Sequence, residues 1–119
     1  MKAKNVFVVT VNWKNGPDTV EALQSICDVN SSSVGGVVVC DNASNDGSSE
    51  LIRSWAAAAG VVLLEYTWRD GGFVLSECAA PNFRDGSGLE VVLIHTGANL
   101  GFSGGNNVGI EFIRRNRAY

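Results

Sequence analysis

Four apolar runs punctuate this chain, and each gives way to polar or turn-forming residues. The clearest is Val37-Val38-Val39-Cys40, which stops at Asp41 and hands over to the turn-rich stretch Asn42-Ala43-Ser44-Asn45-Asp46-Gly47. Continuous apolar runs of this length mark strands covered on both faces, as in parallel sheets between helices. Residues 5–11 (Asn-Val-Phe-Val-Val-Thr-Val) read as the first such strand, 37–41 as the second, 61–66 as the third and 90–95 as the fourth. Between them the period changes to that of a helix. Pro17 suits a first helical turn, where its missing N–H is no loss, and Val20, Leu23, Ile26 and Cys27 fall on one face. A second helix is expected from about Glu50, capped by Ser48 or Ser49, with the stripe Leu51, Ile52, Trp55 and Ala58 and an end at Gly60. A third is expected from Gly104 to about Asn116, capped by Ser103, with Glu111 and Arg115 paired one turn apart. Strand–helix alternation of this kind implies crossover connections and a parallel sheet.

The expected fold is therefore α/β, three layers with a mostly parallel sheet in strand order 3-2-1-4. In that order the strand at 91–94 is an edge, and an apolar edge is a template for pairing with a second copy. Residues 67–89 break the rhythm with three turn-rich patches around Phe73-Val74-Leu75, and read as a surface insertion that includes a hairpin.

Three loops stand at carboxyl ends of strands: 12–16, 41–47 and 96–105. In open α/β sheets that edge is where ligands bind. Asp41 sits there among side-chain amides and hydroxyls, Asn42 and Ser44 included, a setting for a base or a sugar. The loop at 96–105 is rich in glycine and feeds a helix, so its backbone N–H groups and the positive helix end suit an anion. The pairing suggests a nucleotide.

Composition narrows the picture. At 119 residues, with 45% apolar and 18% charged residues, the chain suits one globular domain. The net charge of −3 comes without the basic stripe of nucleic-acid binders. No apolar run approaches the ~20 residues that span a bilayer, and no leader-like cleavage segment is visible at the start. Cys27, Cys40 and Cys78 form no CxxC pair, which fits a reducing cytoplasm better than a disulfide or zinc framework.

Three motifs carry a resemblance. Val11-Asn12-Trp13-Lys14-Asn15-Gly16, the stretch 37–48 (Val-Val-Val-Cys-Asp-Asn-Ala-Ser-Asn-Asp-Gly-Ser) and the stretch 99–109 (Asn-Leu-Gly-Phe-Ser-Gly-Gly-Asn-Asn-Val-Gly) closely resemble the N-terminal half of family 2 glycosyltransferases, nearest the rhamnosyltransferase-like branch. The resemblance spans nearly the whole chain except 67–89. It implies a Rossmann-like GT-A fold and an inverting enzyme that takes a glycosyl group from a dTDP- or UDP-sugar to a glycan or lipid-linked acceptor, in polysaccharide or cell-envelope synthesis. It places Thr10, Asn12, Trp13 and Asp41 around the nucleobase and ribose, with Asp41 accepting from the base N3–H. Asn99, Gly101, Gly104, Gly105 and Asn106 match the segment that lines the donor site. A divalent metal, Mn or Mg, is implied for the whole enzyme, but its acidic motif and the general base lie beyond residue 119. The chain thus reads as the donor-binding half of a longer enzyme, cytoplasmic and at the inner face of the membrane, and inactive alone. It departs from the family at Lys14, where a second asparagine is common, and in the length of 67–89.

Plainer readings compete. Asp41 could merely close an Asx turn. Trp13 could stack on a base or pack under the first helix, with packing preferred. His95, at the end of a buried strand, reads as a structural histidine, Cys40 as inert and Trp55 as core. The series Asn42, Ser44, Asp46, Gly47 echoes a calcium loop, but Arg53 stands where a bidentate Glu belongs. The glycine segment is not G-x-G-x-x-G, so a dinucleotide-binding domain has little support. The alternatives in other classes are a non-catalytic nucleotide-binding or regulatory α/β module and a receiver-like domain, the latter lacking acids at Asn12 and Trp13.

Overall fold

The computed structural model describes residues 6–29, 34–76 and 89–116. Cys78 and the part of the expected insertion at 77–88 lie outside these residues. The elements run β1 (Val6–Asn12), α1 (Gly16–Val29), β2 (Val34–Asp41), α2 (Ser48–Ala59), β3 (Val62–Arg69), β4 (Gly72–Leu75), β5 (Glu90–His95) and α3 (Gly101–Asn116). They form a five-stranded sheet in which only β4 runs antiparallel, against β3.

Helices cover both faces. Leu23 of α1 and Ile52 of α2 pack on Val37, Val39, Val91 and Leu93. Val108 and Phe112 of α3 pack on Val38, Cys40, Val92 and Ile94. Odd and even positions of β2 and β5 thus face opposite layers, as the two-residue period of a strand requires. Cys40 is fully buried in this second cluster, and burial pushes its thiol up to about 12.

The strand order is β1-β2-β5-β3-β4, which corrects the expected 3-2-1-4. The fourth expected strand, β5, pairs in parallel with both β2 and β3, so 91–94 is the interior of the sheet and offers no edge for self-association. The edges are β1 and β4. Burial explains the difference. Residues 90–94 of β5 are all buried, whereas β1 is only half-buried along most of its length and carries Thr10 in its run. The least interrupted apolar run belongs in the middle.

Several boundaries also moved. The third strand is longer than 61–66 and turns through Asp70 (φ 54°) and Gly71 (φ 77°) into β4, which is the hairpin expected inside 67–89. The cap of α2 is neither Ser48 nor Ser49. Gly47 takes the left-handed conformation, and the Asp46 carboxylate accepts from Ser48 N at 3.0 Å and Ser48 Oγ at 2.5 Å. Those Ser48 hydrogen bonds hold the Asp46 carboxyl below its usual range. Gly60, also left-handed, closes α2 as expected, but its buried stripe runs through Ile52 and Ala56, while Leu51 and Ala58 are exposed. Helix α3 starts three residues before the expected position, so Ser103 lies inside it.

Candidate functional site

Strand register sets the site. Asn12 is the Cα partner of Asp41, Asp41 of His95, and His95 of Thr67, so one rung at the carboxyl edge carries these four residues across β1, β2, β5 and β3. Asn12, Asp41 and His95 sit an even number of positions from Val8, Val37, Val39 and Leu93, and therefore face the α1 and α2 layer.

A buried network fixes the first two. Thr19 of α1 donates to Asn12 Oδ1 at 2.6 Å, which settles the orientation of the Asn12 amide. Its Nδ2 then donates to Asp41 Oδ1 at 2.8 Å and to Ser44 Oγ at 3.1 Å. Ser44 Oγ donates to the same Asp41 Oδ1 at 2.6 Å and accepts from Lys14 N at 2.8 Å. Asn12, Thr19, Asp41 and Ser44 are all buried. Lys14, Ala43 and Asn45 have positive φ, which winds both loops tightly enough to tuck Ser44 under Asp41.

Asp41 Oδ1 is thus saturated, while Oδ2 accepts from none of the described residues. No buried side-chain polar atom among them lacks a partner, so Oδ2 of this 4% exposed residue keeps some contact with solvent. Asp41 lines a cleft of about 670 Å³ together with Asp46, Glu50, Arg53, His95 and Gly97.

The far wall is a charged cluster that the sequence reading did not assemble. Glu65, 3% exposed, accepts from Arg53 Nε (2.8 Å) and Arg53 Nη2 (2.9 Å) as a fork, and lies 2.8 Å from His95 Nε2. Burial pushes the Glu65 carboxyl up, but the hydrogen bonds and charges of Arg53 and His95 outweigh it and hold the group below its usual range. The signal was a carboxylate inside the apolar run 61–66, since a buried charge must be paired. His95, read as structural, lines the cleft.

The other expected residues divide by face. Asn42 is buried toward α3, where its Nδ2 donates to Gly101 O at 3.0 Å and its Oδ1 accepts from Thr96 Oγ1 at 2.8 Å. Gly105 lets α3 approach, since a Cβ there would lie 3.0 Å from Val11 and 3.1 Å from Asn42 Nδ2. Asn99 Oδ1 accepts from Gly101 N at the start of α3. Gly101, Gly104, Gly105 and Asn106 belong to α3 on the face opposite α2, and none of them lines the cleft beside Asp41. Thr10 lies two residues below the rim, paired with Val39. Trp13 is 47% exposed at the rim with Lys14 Nζ 5.1 Å from its ring centre, rather than packed under α1. Trp55 is partly buried against the core and donates to Gln24 Oε1 at 2.8 Å.

Among the described residues no three His, Cys, Asp or Glu side chains are grouped to hold a metal ion. None of their helices is long and apolar enough to cross a membrane. No family model, no curated protein and no solved structure matches the chain.

Proposed function

We propose that the chain binds the nucleoside end of a nucleoside diphosphate sugar at the carboxyl edge of its sheet, as the donor-binding part of a GT-A-like, inverting glycosyltransferase. The observation that carries this reading is Asp41. Its Oδ1 is held by Asn12 and Ser44, so the carboxylate does not turn, and its Oδ2 is left as a fixed acceptor in a cleft. An acceptor held this way has already lost the freedom a ligand would otherwise have to freeze out. The N–H of a uracil or thymine ring is a suitable donor.

Charge argues for the nucleoside end rather than the diphosphate. Asp41, Asp46 and Glu50 line the cleft, against Arg53 and His95, and Arg53 is already engaged by Glu65. A polyanion belongs instead at the start of α3, where the glycine-rich turn leads into a sixteen-residue helix with no acid in its first turn. The two ligand ends would then straddle the sheet edge between the Asp41 cleft and Gly101. Transfer itself is assigned, through the same resemblance, to residues beyond this chain, and a divalent ion would act there.

The test is calorimetry with uridine, thymidine, adenosine and guanosine diphosphates. The pyrimidine diphosphates should bind better than the purine ones. Asp41→Asn should weaken them by about 1–3 kcal/mol, the range for losing a hydrogen bond to a charged group. Equal affinity in wild type and Asp41→Asn removes Asp41 from the site. Metal-dependent donor consumption by the 119-residue chain alone would contradict the donor-half reading.

A further inference from the structure

Beside Asp41 on the same rung stands His95, the sole histidine of the chain. Its partner Glu65 is held ionised by the Arg53 fork and has no proton to give, so His95 Nε2 must be the donor across their 2.8 Å contact. The tautomer follows: the neutral ring carries its hydrogen on Nε2 and a lone pair on Nδ1. Nδ1 bonds to none of the described residues, while His95 lines the cleft. Two atoms with no partner among the described residues, Asp41 Oδ2 and His95 Nδ1, thus belong to neighbouring residues about one strand spacing apart, ~4.8 Å.

We propose that His95, positioned by Glu65, is a ligand-contacting residue of the cleft, and that its Nδ1 pairs with the atom next to the group that Asp41 accepts from. This rests on the nucleoside reading above and adds to it. With His95 neutral the rung presents two acceptors side by side, and a ring edge with a carbonyl beside its N–H meets a lone pair. With His95 protonated the rung presents an acceptor and a donor, and the same N–H and C=O edge is satisfied at both atoms. Glu65 of β3 touches His95, and the charged groups that line the cleft with it are Arg53 and Glu50 from α2, Asp41 from β2 and Asp46 from the loop before α2. The Glu65 and Arg53 charges offset each other, so protonation adds one positive charge to an otherwise acidic cleft.

The probe is UDP-glucose, whose diphosphate stays fully ionised from pH 5.5 to 8.5, so the ligand phosphates add no titration of their own. Calorimetry across that window should show wild-type affinity falling as pH rises, by roughly tenfold overall, the low end for a charge-assisted hydrogen bond. His95→Asn keeps a polar amide that does not titrate, and its profile should be flat. On the wild-type protein, long-range 1H–15N spectra of the single imidazole should show Nδ1 moving more than Nε2 when UDP-glucose is added at pH 5.5. A flat wild-type profile, an unchanged slope in His95→Asn, or an unmoved Nδ1 overturns the assignment of His95 while leaving Asp41 in place. No UDP-glucose binding at any pH overturns both readings together.

Discussion

Asn12 has more consequences than its size suggests. It takes one hydrogen bond from Thr19 and gives two, to Asp41 and Ser44, all inside the protein. Asn12→Ala leaves buried partners unsatisfied and should cost about 1–3 kcal/mol in urea unfolding, in addition to loosening Asp41. Glu65 makes a second prediction through pH. Its folded-state carboxyl lies below the ordinary 4.5, so its stabilisation is present above that value and lost as pH falls through the lower folded one. The wild-type unfolding midpoint should therefore drop more steeply than that of Glu65→Gln as pH falls below 4.5. Glu111, held at about 2 by Arg114 and Arg115, contributes the same slope to both proteins and cancels. Asp41 could be placed from sequence because an acid ending an apolar run is a local pattern. The Arg53–Glu65–His95 cluster could not, because Arg53 and His95 lie 12 and 30 residues from Glu65 and His95 meets it only through the pairing of β5 with β3.

Among elements, α3 shows how glycine sets a distance. A Cβ at Gly109 would lie 2.6 Å from Val9 Cγ1 and 2.9 Å from Cys40 Sγ, closer than side chains tolerate. Gly109→Ala should thus destabilise by about 1–3 kcal/mol, the cost of overpacking, although alanine is the better helix former. Thermal unfolding checks the sign, and a stabilised variant would show that α3 is free to shift off the sheet. The resemblance assigns Gly101, Gly104 and Gly105 to the donor site. Gly105 and Gly109 lie against β1 and β2, and a glycine that admits a ligand looks the same in sequence as one that admits a helix. Helix α2 shows a similar ambiguity: Ala56 and Ala58 sit in one four-alanine run, and only packing on the sheet decides that Ala56 is the buried one.

For the whole molecule, the alternation of strands and helices was enough to give the α/β class and the parallel sheet, because crossovers follow from the periods. It was not enough to order the strands, since β5 enters between β2 and β3 after both are formed in sequence. Amide exchange should show the result, with 91–94 the slowest-exchanging strand and the edges β1 and β4 faster. The central claim, a nucleoside cleft at Asp41, is tested most directly by titrating 15N-labelled protein with UDP-glucose and mapping the amide shifts. The account predicts perturbations concentrated at 12–14, 41–47 and 95–97 with a second group at 99–105, all weakened in Asp41→Asn. Perturbations confined to other surfaces, or none in either protein, would contradict it.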